Sequence, residues 1–429
     1  MLVEPVRDPL DIVTRINHDN NHHLNSLWMW LWGFGAPPLT LRALSIVAGT
    51  LTVPVAYRIG TRCGPAQALI LAALFAVSPM LVNYGSEARG YAPMLLAAMA
   101  TLAMAQRWLE ETREPAGARI ARAAIALLGL MSQLTMVFFI AAILIAVGWS
   151  LTRRMPVAAA IGASLRWAWP MLAATALVFA VVIAAAAVSP VGMQVGDYVR
   201  YEPGLQVAAL RTMVAATLGL PLSPAWLSPA WLSIAAAAAV LLLIADAVRR
   251  RADVAPFAVV AILGFPLMLA LLRVGNTGMA RYYLVASVAI LWLVAGAVAS
   301  LPRRWAIAAS MLLIGASLYQ DLVQAALLRG DSDAPVRIMA ARAPRGTTIM
   351  VEYLRPVATL RVAAAQARYP LAITSTCPAA AYLYLDLDGS DPAPPAQSRC
   401  GAGYRRLTVG RRAMLSGTDW ALYEKVAAR

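Results

Sequence analysis

Residues 167–196 read WAWPMLAATALVFAVVIAAAAVSPVGMQVG, a stretch without one charged side chain. A helix rises about 1.5 Å per residue, so roughly twenty such residues cross the hydrocarbon core of a bilayer. In lipid every backbone N–H and C=O must find a partner inside the segment, and a single span can do that only as a helix. Runs of the same kind recur at Gly90–Gln106, Ala123–Leu151, Thr212–Ala245, Val254–Leu272, Tyr282–Pro302 and Trp305–Gln320. The chain as a whole is 61% hydrophobic and 13% charged, whereas a soluble domain is nearer a quarter charged. These runs define a polytopic, all-α membrane protein.

The net charge of +15 first suggests nucleic acid, but the pattern of the charges excludes it. They are arginines, with Lys425 the one lysine, and they stand at the ends of apolar runs, as topology-setting charges do. Met1–Asn25 is polar and holds no signal peptide.

Arginine counts orient the helices. Fourteen arginines, from Arg58 and Arg62 through Arg107, Arg122, Arg153, Arg154 and Arg249–Arg251 to Arg303 and Arg304, fall in one set of loops. Five (Arg89, Arg200, Arg211, Arg273 and Arg281) fall in the alternate set. Positive charge marks the cytoplasmic side, so the loops around Glu87, Asp197 and Asn276 face outward. Ala123–Leu151 has cytoplasmic charge at both ends and must be a hairpin of two short helices, bent near Ser132 and Gln133. The expected spans are residues 40–60, 67–83, 90–107, 120–132, 134–151, 167–188, 231–248, 255–272, 282–300 and 304–320, about ten transmembrane or re-entrant helices. Ten passes put both termini outside. A polar outer N-terminus without a signal has no means of export, so a further transmembrane helix upstream of Met1 is expected.

Composition shifts after Asp321. Short β-prone runs at Thr347–Tyr353, Ala372–Ser375, Tyr382–Asp386 and Trp420–Val426 surround a helical stretch, Val357–Arg368, and a proline-rich loop, Asp391–Gln397. Residues 331–429 therefore read as a small α/β domain on the outer, periplasmic side. Residues 40–320 form the transmembrane domain, and residues 1–39 an outer loop with an interfacial helix. An oxidising compartment favours a disulfide between Cys377 and Cys400, while Cys63, in a cytoplasmic turn, stays a free thiol.

Three polar clusters reach the outer face. The first is Asn17–His23, ahead of the tryptophan-rich stretch Leu24–Phe34. The second is Asn83–Tyr91, a turn between two helices. The third is Arg273–Tyr283. Arg42 adds a further cation at the outer end of its helix. Charge at membrane depth is costly and usually functional. Arginine forks suit phosphate, and a carboxylate or histidine can take a proton from an attacking hydroxyl. The plain alternative is that these are interfacial anchors. His18 and His22, spaced i, i+4, suit one metal-binding helix face, although a solvated loop explains three clustered histidines as well.

The order of these clusters resembles the lipid-linked-sugar glycosyltransferases of family 39 type, which have the C-type membrane fold and include protein mannosyltransferases and bacterial aminoarabinose transferases. Asp19–Gly35 is similar to that family's "DNNHPPLYYLLLxLWxxxFG" stretch. Leu41–Gly60 is similar to its "ALRLPSxLAGxLTVxxxYxLGxRL". Ser78-Pro79 with Tyr84–Ala92 resembles "SPxxxxYSxEARxYA", and Arg281-Tyr282-Tyr283-Leu284 resembles "RYLxxxxP". The likeness is firm over residues 15–110 and collinear to about residue 300. Two features depart from it. His23-Leu24 replaces the proline pair, and the family's catalytic acidic pair would fall before Met1, with the expected upstream helix.

The resemblance implies transfer of a sugar from a polyprenyl-phosphate donor to a lipid, protein or glycan acceptor, at the outer face of the bacterial inner membrane. Arg42, Arg89 and Arg281 would hold the donor phosphate, and Tyr91, Tyr282 and His22 would line the substrate site. Asp19 and Glu87 are the acidic candidates for catalysis, with Asp8 and Asp11 nearby. No nucleotide cofactor is expected, and a divalent metal stays open. A transporter or lipid flippase using the same cavity without chemistry is the rival class. It is less favoured because the polar residues cluster at one face rather than at mid-membrane and no inverted repeat stands out. A scaffold that only presents the C-terminal domain is a third reading.

Overall fold

The structure is a computed structural model that describes residues 8–14, 22–33, 35–111, 114–189, 200–221, 230–275, 277–326, 333–352, 356–387, 393–410, 415 and 419–426. Its contacts divide the chain into two compact units. One comprises Val6–Trp28 and Arg42–Asp321; the other joins Met29–Leu41 to Leu322–Arg429.

The larger unit is helical. After α1 (Asp11–Thr14) and α2 (His23–Trp32) come α3 (Pro38–Gly60), α4 (Pro65–Val77), α5 (Pro79–Gly85), α6 (Tyr91–Glu110), α7 (Ala118–Ser132) and α8 (Met136–Thr152). Then follow α9 (Val157–Val188), α10 (Pro203–Thr217), α11 (Ala230–Arg249), α12 (Ala255–Ala258), α13 (Phe265–Leu271), α14 (Leu284–Ala299) and α15 (Arg303–Ala326). Among the described residues five helices are long and apolar enough to cross a membrane: Pro38–Cys63, Val157–Val188, Trp231–Arg249, Ala280–Ala299 and Arg303–Ala326. The bent pair α4 and α5 makes a sixth. Ala280–Ala299 is the central one, with 78% of its apolar window buried, against 11% for Arg303–Ala326.

Proline sets the irregularities. Ser78 precedes Pro79, which disfavours a helical backbone at Ser78. It is extended, with ψ 118°, and α4 and α5 meet there at 55°. The Ser78 hydroxyl donates to the Thr217 carbonyl at 3.0 Å, and the Thr217 hydroxyl reaches that of Ser287 at 2.9 Å. Pro266 has no N–H to continue a helix ladder, and the chain before it widens into a π-helical stretch at Val259–Gly264. The Pro266 carbonyl accepts from Gln206 Nε2 at 2.8 Å. Gln133 is extended (φ −162°, ψ 126°) and separates α7 from α8, where the sequence predicts a bend. Helix α10 falls in a stretch expected to be a loop. It begins with proline as its first residue, after an extended Glu202, and the fixed φ of proline suits that position.

The smaller unit adds α16 (Asp333–Arg342), α17 (Val357–Gln366) and a six-stranded sheet in the order β2-β1-β3-β6-β5-β4. Strands β1 (Thr347–Val351), β2 (Leu371–Thr374), β3 (Tyr382–Leu387) and β6 (Asp419–Lys425) match the predicted β-prone runs within two residues at either end. Strands β4 (Ala396–Arg399) and β5 (Ala402–Gly410) form a hairpin that the sequence reading leaves as loop. β1 runs parallel to β2 and β3, the other pairs antiparallel. Side chains alternate across a strand, and the inner strands are buried on both faces. Ile349, Val351, Tyr384, Trp420 and Leu422 pack with Met339 and Leu360 of the helices. Met350, Leu383, Leu385, Tyr404, Ala421 and Tyr423 form the core of the other face. Burying each large apolar side chain contributes about 1.5–3 kcal/mol. Within this unit the segment Met29–Leu41 is tied to α17, because Gln366 Nε2 donates to the Ala36 carbonyl at 3.0 Å.

Cys377 and Cys400 are joined, linking the β2–β3 connection to the tip of the β4–β5 hairpin, and Cys63 is free and exposed. Alkylation of the denatured, unreduced protein should therefore label Cys63 alone. Reduction should expose the other two thiols and lower the stability of the smaller unit by about 3 kcal/mol on chain entropy. Labelling of all three before reduction would refute the pairing.

Candidate functional site at the Glu87 turn

The site is built where four pieces of the larger unit meet: the residue before α2, the turn 86–90 between α5 and α6, the α7–α8 break, and the 3-10 turn Ala280–Tyr283 that leads into α14. The last carbonyls of a helix lack partners within it. That of Ser132, ending α7, lies 3.0 Å from His22 Nδ1. Since the carbonyl can only accept, Nδ1 carries the proton and Nε2 is left as the acceptor of the ring. The imidazole meets Tyr91 edge-on with ring centroids 5.1 Å apart, and Tyr91 meets Tyr84 the same way at 5.3 Å. The approach of the turn to α7 requires Gly90, since a Cβ there would stand 1.7 Å from the Ser132 oxygen.

Around this aromatic stack lie the charges. Glu87 is buried, with Oε2 3.5 Å from Nε of Arg89, whose side chain is 44% exposed. Arg89 and Arg281 both lie within electrostatic reach of His22, and Tyr84, Tyr91 and Glu87 within reach of Arg281. Arg281 also stacks over Tyr282, its guanidinium carbon 5.5 Å from the ring centre. Its Nε is buried and has no hydrogen-bond partner among the described residues. The turn is anchored from behind: Ser45 of α3 donates to the Arg89 carbonyl at 2.9 Å and accepts from Asn25 Nδ2 at 3.2 Å.

Burial first, and the Arg89 guanidinium next, hold the His22 imidazole down at about 3, and burial holds His23 at about 4. At neutral pH His22 is uncharged. The unfolded chain takes up its proton below about pH 6.5 while the folded chain does not until about pH 3, so stability falls as pH drops through that window. The thermal midpoint should therefore decline from pH 6.5 towards pH 4, and His22→Gln, which can still donate to Ser132, should flatten the decline. An unchanged slope would place the acid sensitivity elsewhere.

The structure thus gathers His22, Glu87, Arg89, Tyr91, Arg281 and Tyr282 at one place. Arg42 is exposed and, among the described residues, makes no hydrogen bond or ion pair. Asp19 and His18 lie outside the described residues. Those described hold no group of three or more His, Cys, Asp or Glu that could bind a metal. Tyr84, Ser132, Ser45 and Asn25 belong to the site although the sequence reading gives them no role there. Tyr84 is quoted within the turn motif, and Ser132 marks the predicted bend, so both could have been found from their places in the motif order.

Three tyrosine rings, a neutral imidazole, a buried carboxylate and two guanidiniums can grip a phosphate and take up a proton beside it. The fold that carries them, a set of long apolar helices with a small C-terminal sheet, recurs in a solved structure. The crystal structure of ArnT from Cupriavidus metallidurans in the apo state is similar, with a TM-score of 0.53 over 94% of this chain and 86% of that one, at 13% sequence identity. No protein-family profile matches the sequence, and no curated protein does so significantly.

Proposed function

We propose that this protein transfers a sugar from a polyprenyl-phosphate-linked donor to a hydroxyl of a lipid, protein or glycan at the outer face of the bacterial inner membrane. The observation that carries this reading is the gathering of Arg89 and Arg281 around His22 and Glu87, in a chain with the fold of ArnT. The guanidiniums hold the donor phosphate, with Arg42 a further cation on the approach. Tyr91, Tyr282 and His22 line the sugar. The acceptor hydroxyl bonds to the anomeric carbon as its proton passes to a carboxylate, Glu87 or Asp19, and polyprenyl phosphate leaves with the electron pair of the broken C–O bond. Residues 331–429 act as the outer domain.

Purified protein incubated with a membrane extract as acceptor source and a panel of labelled polyprenyl-phosphate sugars should transfer one of the sugars and release polyprenyl phosphate, and Glu87→Gln should slow that release by about 10²–10⁴-fold if Glu87 is the base. Binding of a donor with no turnover, together with scrambling of labelled lipid in vesicles, would favour the flippase reading instead. Reporter fusions at residues 87, 251 and 340 check the orientation. Residues 87 and 340 should report outside and residue 251 inside, and finding 251 and 340 on one side would overturn the outer placement.

A further inference from the structure

Helix α6 leaves the Glu87 turn at Tyr91 and ends at Glu110, about 30 Å away at the rise of a helix. Its far end and the end of α3 with the turn after it border an open cavity of about 160 Å³ lined by Arg58, Arg62, Ala103, Met104, Gln106 and Arg107. This cavity is separate from the site above and has no part in the proposed chemistry. We propose that it holds the headgroup of an anionic membrane phospholipid, one whose phosphodiester carries a hydroxyl-bearing group such as glycerol.

Three observations point to that ligand. The first is surplus positive charge. Arg62 pairs with Glu110, and Arg107 Nε lies 2.6 Å from Glu111 Oε1. Arg58 has no carboxylate partner among the described residues, and its guanidinium is 3.5 Å from the Thr61 hydroxyl. A phosphate oxygen fits between such guanidiniums, which present parallel N–H donors. The second is an acceptor without a donor: Gln106 Oε1 is buried and has no hydrogen-bond partner among the described residues. A phosphate alone cannot supply one, whereas a glycerol hydroxyl beside the phosphate can.

The third observation separates a lipid from a soluble anion. Val47, Leu51, Pro54 and Arg58 are all exposed on α3 and follow the i, i+4, i+7, i+11 spacing that puts them on one face of a helix. They form an apolar track leading to Arg58 that an acyl chain can follow while its headgroup sits in the cavity. Basic pockets between membrane helices on the cytoplasmic side are suited to anionic headgroups, and the arginine distribution predicts that side for this end. The competing account gives the arginines only their helix ends and glutamates to stabilise. It leaves Gln106 without a donor and expects no response to headgroup chemistry.

The test uses the full chain purified in detergent, titrated with phosphatidylglycerol, phosphatidylcholine and soluble glycerol 3-phosphate. Native mass spectrometry reads retained lipid, and the thermal midpoint reads stabilisation. Phosphatidylglycerol should be retained and raise the midpoint, with phosphatidylcholine bound at least about tenfold more weakly. Arg58→Gln, an exposed change, should leave the lipid-free midpoint unaltered and weaken phosphatidylglycerol by about tenfold, the equivalent of about 1.4 kcal/mol. Gln106→Leu should act in the same direction. Equal binding of the two lipids, full affinity in Arg58→Gln, or glycerol 3-phosphate binding as tightly as phosphatidylglycerol would each overturn the proposal. None of these readouts depends on sugar transfer, so failure here leaves the proposed activity standing, and the reverse.

Discussion

Gly90→Ala will leave little folded protein. The added methyl carbon would stand 1.7 Å from the Ser132 oxygen, 2.5 Å from the Ser132 carbonyl carbon and 2.9 Å from His22 Nδ1. Ordinary overpacking costs about 1–3 kcal/mol, because flexible side chains give way. Here the obstacle is backbone at the end of α7, and relieving the clash also displaces the carbonyl to which His22 donates. The φ of Gly90 is −74°, so the requirement is for space alone. A loss of about 4 kcal/mol or more is expected, read as a collapse of the monodisperse peak in detergent. Gly85 provides the control, since a Cβ there meets nothing nearer than the Gly49 Cα at 3.9 Å. Gly85→Ala should purify normally, and equal behaviour of the two variants would show that the turn does not press on α7.

Arg281→Ala should weaken binding of a polyprenyl-phosphate donor by about a hundredfold. The Nε of this side chain is buried and has no hydrogen-bond partner among the described residues, and it lies within electrostatic reach of Tyr91, Tyr84 and Glu87. Charge-assisted hydrogen bonds contribute about 1.5–3 kcal/mol each, and about 1.4 kcal/mol is tenfold in affinity. Arg281→Lys keeps the charge but loses the planar fork, so it should recover part of the loss. If Arg281 merely anchors the start of α14, alanine will lower the thermal midpoint and leave donor affinity in the surviving folded protein unchanged. Affinity measured at matched folded fraction separates the two outcomes.

Much of this architecture was legible because lipid allows few solutions. Each of the ten predicted spans contains a helix, but among the described residues five, or six with the bent α4–α5 pair, are long and apolar enough to cross a membrane. The break between α7 and α8 at Gln133 falls where the charge at both ends of Ala123–Leu151 led the sequence reading to expect a bend. Helix α10 was not legible. Arg200 just before it and Arg211 within it suggested an outer loop, and its residues merge into the apolar run Thr212–Ala245. The β4–β5 hairpin was hidden for a different reason. Its two-residue turn is Cys400-Gly401, with φ of 53° and 74°, in place of the asparagine-glycine pair that usually marks such turns. Its first strand also begins inside the proline-rich stretch.

The candidate site was legible as motifs in order, because Glu87, Arg89 and Tyr91 share one turn and Arg281 and Tyr282 another. What no motif order could reveal was the partner of each group. That His22 would give its Nδ1 proton to the end of α7, or that Ser45 would hold the Arg89 carbonyl, depends on how separate helices pack. Sequence spacing carries that information only within one helix or turn.

The tie between Gln366 and Ala36 bears on how the chain is made. The smaller unit is discontinuous: Met29–Leu41 leaves the ribosome early, and its partners in Leu322–Arg429 come about 280 residues later. At translation speeds of about 5–20 residues per second, the early segment waits roughly 15–60 s, while the membrane helices are inserted, before it can dock. Leu31, Trp32 and Leu39 remain exposed in the finished fold, so docking holds the segment in place without burying these side chains. The smaller unit is therefore completed after synthesis of the membrane helices, and a ribosome stalled short of α17 would leave the Ala36 carbonyl without its Gln366 donor.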